Sequence, residues 1–455
     1  MPCHIWAYTR KFYLKMDRDK IRSRHMWLFV LLFFVGATSR YDLVLFARIP
    51  VSELLAFLLL PLVLQGVPLK RFWSALVPVF AVLIIWAFSI LLSDLVNGLD
   101  FSRFLKALAK PIWCMLWMFF FIGVLFKESR AVLLYFVGMI LASFQNYFFP
   151  QAWTVERITS GGYDSVAYGI APIVISICVA LAALLYGKSR WVSVFFFVVC
   201  GVLLGVFGAP RSNIALMMFN ALIVALIWWN QRGVNRLGRV SLKKLMMFVI
   251  LGVSACWLIY EAYIMLASEG WLGEYQRNKL IDQTDTVFGD SILGIIVGGR
   301  TRVFGAILAI MDNPIFGYGS WNAWLLGDYY YDAVAYVGTS AKDLSSLSTA
   351  GIISSPGHSI LFQSWMENGI LAAFSLLVIG YWMLKDLILL IQKDDRLAPV
   401  LIYLFASFFW AYLFSPFGVQ HRLTIGLFLA IYLMRCNEFS PFLYVGGFRM
   451  SKRKF

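Results

Sequence analysis

Charged side chains are scarce in this sequence: 14% of the residues are Asp, Glu, Lys or Arg, whereas 61% are hydrophobic. In soluble globular domains roughly a quarter of the residues are charged, so the composition excludes a single soluble globule. The apolar residues form runs of about 20 residues separated by short charged connectors, which is the pattern of membrane-spanning helices. We therefore predict an all-α polytopic membrane protein with the lipid bilayer as a partner.

Cysteine is rare as well. The chain has six, and none of them lies between residues 268 and 357, which form the longest polar segment. Four lie within apolar runs and the other two lie near the termini. This distribution argues against a disulfide framework or a thiolate metal site, and we expect the cysteines to pack as small apolar side chains.

Acidic residues are fewer than basic ones, 24 against 39, which gives a formal net charge of +15. An excess of positive charge can mark a nucleic-acid-binding protein. Here the basic residues lie at the ends of apolar runs and in the two tails, where the topology of an inner-membrane protein places them. No soluble basic domain is left to bind a duplex, so nucleic acid is not expected as a partner.

About twelve apolar segments are candidate membrane spans, of which the first and the last are short. The first follows a basic N-terminal segment, as the apolar part of a signal peptide would. No small-residue cleavage site follows it, so we expect an uncleaved helix. The candidate spans are residues 26–38, 51–68, 73–94, 111–126, 131–149, 166–186, 191–209, 214–229, 245–267, 359–384, 397–414 and 423–434.

The distribution of Lys and Arg predicts the orientation of these spans. With the N-terminus in the cytoplasm, 26 of the 39 basic residues lie on the cytoplasmic side, in agreement with the positive-inside rule. Both termini are then cytoplasmic, and residues 268–357 form a long periplasmic loop between spans 9 and 10. Apolar residues at helical spacing predict a surface helix in this loop over Thr301–Met311. We expect residues 1–455 to be a single membrane domain that carries the loop.

Side chains of catalytic type gather on the predicted outer face. Arg211 interrupts an apolar stretch after the seventh span, where a charge is costly and usually functional or paired. Arg300 and Arg302 follow two glycines in the loop, and the guanidinium fork suits phosphate oxygens. His358 lies where the loop re-enters the membrane, and imidazole exchanges protons near neutral pH. Taken singly, Arg211 also fits an interfacial side chain and His358 a capping or packing residue.

The order of these residues resembles the O-antigen ligase and O-antigen polymerase superfamily. The resemblance covers about residues 195–380 by motif and the whole chain by topology. The sequence departs from the family pattern at Phe304, where Trp is commoner, and its first third carries no matching motif. The matching residues are Arg211-Ser212, Gly299-Arg300, Phe304, the segment Asn313–Gly319, His358-Ser359 and Glu367-Asn368-Gly369-Ile370.

The resemblance implies a metal-independent glycosyltransferase without a cofactor at the outer face of the bacterial inner membrane. Its donor would be a glycan on undecaprenyl diphosphate, and its acceptor a sugar hydroxyl on a lipid-linked repeat unit or on the lipid A core. Arg211 and Arg300 would stabilise the diphosphate leaving group, and His358 would be the general base. Arg302 and Glu367 are further substrate-binding candidates. A flippase and a chain-length regulator of the same pathway would be its partners.

Several functions remain open at this point. The motifs do not separate a polymerase of repeat units from an O-antigen ligase, and we expect the polymerase. A transporter or flippase would show repeated halves and polar sites near the middle of the bilayer, and the sequence shows no internal repeat. A cell-wall shape or assembly protein is a more distant alternative.

Overall fold

The computed structural model describes most of the apolar helices and part of the long loop. Within the loop, residues 301–321 are described as a continuous stretch. The described residues are 26–44, 48–150, 170–187, 189–206, 211–232, 254, 257–258, 261–271, 277–278, 280–281, 284, 289, 291, 301–321, 329, 332–335, 359–393 and 397–436.

The described chain is mostly α-helical, with one short β-hairpin between the first two helices. Strand β1 (Asp42–Val44) pairs with β2 (Arg48–Pro50) in antiparallel register, with Leu43 opposite Ile49. The mainly helical structure is consistent with the predicted all-α membrane protein, and within the described residues this hairpin is a short addition to it. The helices are α1 (Met26–Ala37), α2 (Val51–Leu64), α3 (Trp73–Val96), α4 (Phe101–Glu128), α5 (Ala131–Phe148), α6 (Ala171–Tyr186), α7 (Arg190–Val206), α8 (Arg211–Arg232), α9 (Thr301–Asp312), α10 (Ile360–Lys393), α11 (Ala398–Phe414) and α12 (Val419–Cys436).

The helices agree with a membrane-embedded protein. Every predicted span overlaps one of them except 245–267, most of which lies outside the described residues. Several further helices are apolar but shorter than a typical span. A count of twelve spans therefore stays a prediction. The helices in the described ranges that are long and apolar enough to cross a membrane are Leu69–Val96, Phe101–Glu128, Ala131–Phe148 and Ile360–Ile388.

Close helix contacts build the bundle around α4 and α10. Helix α12 packs along α4, and α3 packs along α10. Where α1 crosses α5, a Cβ atom on Gly36 would lie 2.1 Å from the Tyr135 carbonyl oxygen, and one on Gly138 would lie 2.1 Å from the Phe33 carbonyl oxygen. Small residues that let backbones approach are typical of helix contacts in membranes. The packing brings the ends of α3, α4 and α10 together, where the site described below lies.

One face of α10 carries exposed apolar side chains from Ile370 to Ile388. Such a stripe would be unfavourable in water but is expected of a helix that faces lipid. The opposite face, with Leu376, Ile379 and Met383, is buried in the bundle. The exposed stripe consists of Ile370, Phe374, Leu377, Tyr381, Leu384 and Ile388.

The surface helix predicted in the long loop is confirmed as a helix, α9 (Thr301–Asp312). It packs against α10, and Ala306, Ala309 and Ile310 form a small core with Met366. Of the apolar positions that predicted it, Val303 and Ile310 are buried, whereas Met311 is 73% exposed. The loop segment after α9 is therefore attached to α10 through the C-terminal half of α9.

Candidate functional site

Helix α10 is interrupted two turns after its start. Gly369 has φ 77° and ψ −172°, which is not a helical conformation, and the residues on both sides are helical. A positive φ of this kind is strongly unfavourable for a residue with a side chain. The break leaves backbone groups of Met366 and Glu367 without their usual helical partners, and these groups bind a second segment of the chain.

That second segment is the motif loop, which we define as Asn313–Trp321. It docks onto the break in α10 through backbone hydrogen bonds. The Tyr318 N–H donates to the Met366 carbonyl oxygen at 2.9 Å, and the Gly319 N–H donates to that of Glu367 at 2.8 Å. In the other direction, the Ile370 N–H donates to the Ile315 carbonyl oxygen at 3.2 Å. The loop thus replaces the helical hydrogen bonds that Gly369 interrupts.

Glycines make this docking sterically feasible. A Cβ atom on Gly369 would lie 1.9 Å from the Ile315 carbonyl oxygen, and one on Gly317 would lie 2.6 Å from the Met366 carbonyl oxygen. Gly317 and Gly319 also have positive φ angles of 70° and 87°. Gly317 and Gly369 therefore permit the close contact between the two segments, whereas a Cβ atom on Gly319 would lie 2.3 Å from the Leu99 side chain, in the connection between α3 and α4.

A buried ion pair lies at the same place. Lys110 Nζ of α4 is 3.0 Å from Glu367 Oε2 of α10, and the two side chains are 4% and 5% exposed. Gln363, one turn earlier on α10, donates from Nε2 to Glu367 Oε1 at 2.8 Å. A charge in an apolar interior is costly unless it is paired and hydrogen-bonded. Both oxygens of the Glu367 carboxylate have such a partner, one in the Lys110 ammonium group and the other in the Gln363 amide.

The end of α3 completes the polar network. Ser93 Oγ donates to the Glu367 carbonyl oxygen at 2.7 Å and accepts from the Gly319 N–H at 3.1 Å. Asp94 Oδ1 accepts from the Ser320 N–H at 2.6 Å, and Ser320 Oγ donates to Asn368 Oδ1 at 3.0 Å. Helices α3, α4 and α10 and the motif loop are thereby joined through one set of buried polar groups.

Trp321 ends the motif loop in an unusual backbone conformation. Its φ is 58°, the one positive φ of a non-glycine residue in the described ranges. The Lys110 ammonium nitrogen lies 5.1 Å from the centre of its ring, which is a cation–π distance. Strained residues of this kind persist where the surrounding structure holds them, often at functional sites.

The predicted site residues are described to different degrees. Glu367 lies at the centre of the network, and Arg302 is half-buried in the first turn of α9. Arg211 is the first residue of α8, but its side chain lies outside the described residues, as do Arg300 and His358 entirely. The carboxylate of Glu367 is buried and bound on both oxygens, and its role in binding substrate stays a prediction.

Sequence reasoning missed Lys110, Ser93, Asp94 and Trp321. The predicted span began at residue 111, whereas α4 begins at Phe101, which puts Lys110 roughly 14 Å along the helix. A signal for it was available, because Lys110 stands between Ala109 and Pro111 in the stretch that leads into the predicted span. The roles of Ser93 and Asp94 depend on contacts that no local pattern reveals.

No model of a known protein family matches the sequence, and no curated protein matches it.

Proposed function

We propose that this chain is a membrane glycosyltransferase that polymerises undecaprenyl-diphosphate-linked oligosaccharide repeat units at the outer face of the inner membrane. The product would be a surface polysaccharide or exopolysaccharide. The proposal combines the motif resemblance with the docking of the motif loop onto α10.

The observation that carries the proposal is the convergence of two separated motifs. The segments 313–319 and 367–370 were singled out because their order resembles one superfamily. In the structure they bind each other through backbone hydrogen bonds, and a Cβ atom on Gly317 or Gly369 would clash with the backbone of the other segment. Degenerate motifs that matched by chance would have no reason to form one unit, so their contact supports the resemblance.

The buried network adds a second, weaker support. An ionisable pair inside an apolar bundle is expensive and usually marks a functional site. The Lys110–Glu367 pair lies within two of the helices that can cross a membrane. Lys110 of this pair also contacts the motif loop, through the ring of Trp321.

The chemistry would be displacement of a diphosphate by a sugar hydroxyl. The bond between the anomeric carbon and the diphosphate oxygen breaks, and undecaprenyl diphosphate leaves with the electron pair. The bond between the anomeric carbon and the acceptor oxygen forms, and the acceptor hydroxyl loses its proton. Arg211 and Arg300 remain the proposed groups for the leaving charge, Arg302 is an additional candidate, and His358 remains the proposed base.

Deleting the gene and analysing the lipid-linked and surface glycans tests this function. We expect surface polymer to disappear and single lipid-linked repeat units to accumulate, and the wild-type gene to restore the polymer. Accumulation of long lipid-linked polymer that never reaches lipid A would instead identify an O-antigen ligase. Repeat units confined to the cytoplasmic leaflet would identify a flippase, and unchanged glycans would contradict the enzyme proposal.

A further inference from the structure

Tyr318 of the motif loop belongs to a second polar cluster, formed with Tyr329 and Asp312. The Tyr329 hydroxyl donates to Asp312 Oδ2 at 2.5 Å, and the two phenol oxygens are 2.7 Å apart. An ionised carboxylate only accepts hydrogen bonds, so the proton of Tyr329 is directed to Asp312. The proton between the two phenols then comes from Tyr318. The three groups therefore form a chain with one direction, from Tyr318 through Tyr329 to Asp312.

The chain is held in place from both sides. Both tyrosine rings pack against the small core of α9 and α10 that contains Ala306, Ala309 and Met366. Asp312 is the last residue of α9, and the backbone of Tyr318 is bound to α10 through the Met366 carbonyl oxygen. The backbone of Tyr318 is thus fixed at the candidate site, and the last group of the chain, Asp312, is exposed.

The surroundings of Tyr329 disfavour its ionised form and favour the passage of a proton through its phenol. Desolvation and the hydrogen bonds to Asp312 and Tyr318 raise the pKa of Tyr329 well above its usual value near 10. The Tyr329 phenol accordingly stays protonated at neutral pH. It can pass a proton on only while it receives another one, whereas the carboxylate of Asp312 can accept the proton and exchange it with water.

We propose that Tyr318, Tyr329 and Asp312 form a proton path that removes the proton from the acceptor sugar hydroxyl during glycosyl transfer. This inference rests on the proposed function. As the acceptor oxygen bonds to the anomeric carbon, its proton moves to the Tyr318 oxygen. The Tyr318 proton moves to Tyr329, and the Tyr329 proton moves to Asp312. Each phenol gains and loses one proton, and Asp312 ends as the acid.

The proposed path and the predicted base His358 would each remove the same proton from the acceptor hydroxyl. The two routes therefore predict different effects of substitutions on the reaction rate. If His358 takes the proton directly, the two phenols and Asp312 have only a packing role beside the small core that contains Met366. Their substitution would then change the rate only as far as it changes the amount of folded protein. If the path operates, the turnover number falls while the protein stays folded and binds its substrates.

The experiment compares Tyr329→Phe, Asp312→Asn and Asp312→Glu with His358→Ala and the wild type. Each purified full-length chain is placed in lipid vesicles and supplied with lipid-linked single repeats extracted from the deletion strain. Turnover number, KM and thermal stability are measured for each. Tyr381→Phe is the matched control, because Tyr381 lies on the exposed face of α10.

We expect Tyr329→Phe and Asp312→Asn to lower the turnover number by about a hundredfold or more, as the loss of a general base does, with little change in KM. Asp312→Glu should recover part of the rate, and Tyr381→Phe should match the wild type. A wild-type rate in Tyr329→Phe would overturn the path alone, and so would losses that only follow stability and are not relieved by Asp312→Glu. A wild-type chain that makes no polymer from these repeats would overturn the proposed function and the path with it.

Discussion

Helix α10 carries two buried ion pairs, and their surroundings differ. Glu367 pairs with Lys110 at 3.0 Å near the start of the helix, and Asp386 pairs with Arg435 at the same distance towards its end. Around Asp386 the helix is regular, and Arg435 also donates to the Asp386 carbonyl oxygen at 2.7 Å. Around Glu367 the helix is broken at Gly369 and a loop from another part of the chain is docked.

The comparison separates two uses of the same chemistry. The Asp386–Arg435 pair joins α10 to α12, and Arg435 contacts one carboxylate oxygen and the carbonyl oxygen of Asp386. The Lys110–Glu367 pair is surrounded by Gln363, the motif loop and the ring of Trp321. We infer that the first pair stabilises helix packing, whereas the second also fixes the geometry of the candidate site.

The largest effects on stability and activity are expected from variants that remove the cation of either pair. Lys110→Met and Arg435→Met each leave a buried carboxylate unpaired, and both should lower the free energy of unfolding by about 3–5 kcal/mol. Activity per folded protein should fall by at least about tenfold in Lys110→Met and stay near wild type in Arg435→Met. Thermal unfolding and polymer formation in vesicles measure the two quantities. Equal losses of activity in Lys110→Met and Arg435→Met would contradict the inferred difference between the two pairs.

Double variants that lack both charges of a pair test the same distinction, and their expected loss of stability is smaller. Replacing a whole buried pair by apolar side chains of similar volume is often nearly neutral for stability. We expect Lys110→Met with Glu367→Met, and Arg435→Met with Asp386→Leu, each to regain much of the stability lost in the single variants. Activity should return only in the second double variant. Recovery of polymer formation in the first would show that its charges are dispensable.

The smallest effect is expected from the side chain that supports the motif loop from α3. Asn97 Nδ2 donates to the Gly317 carbonyl oxygen at 3.1 Å, but Asn313 Nδ2 also donates to that oxygen at 2.7 Å. Asn97→Ala therefore leaves the carbonyl satisfied and should cost about 1 kcal/mol. Chemical denaturation of Asn97→Ala and of Asn313→Ala would check this. A larger loss of unfolding free energy in Asn97→Ala than in Asn313→Ala would contradict it.

The sequence predicts the helices well because their signal is local. Apolar runs and helical spacing identified α10 and the surface helix α9, since each pattern is contained in the helix itself. The start of α4 was placed too late because Arg103, Lys106 and Lys110 interrupt the apolar pattern of its first turns. The partner of Glu367 lies 257 residues away in the sequence, and a pairing over that distance is decided by packing. Motif order could indicate that segments 313–319 and 367–370 belong together, but only the structure shows the hydrogen bonds that join them.

The contact between Gly369 and the motif loop is the most specific basis for the proposed function, and a matched pair of variants tests it. Alanine at 369 would place its Cβ 1.9 Å from the Ile315 carbonyl oxygen at a φ of 77°. Alanine at 380, on the same helix, would make an ordinary contact at 3.7 Å with Tyr412. In vesicles supplied with lipid-linked repeats, Gly380→Ala should form polymer at the wild-type rate. Gly369→Ala should lose about a hundredfold per folded protein, as expected when reacting groups are displaced by about 1 Å. Wild-type polymer formation by Gly369→Ala would contradict the proposal that this contact organises the candidate site.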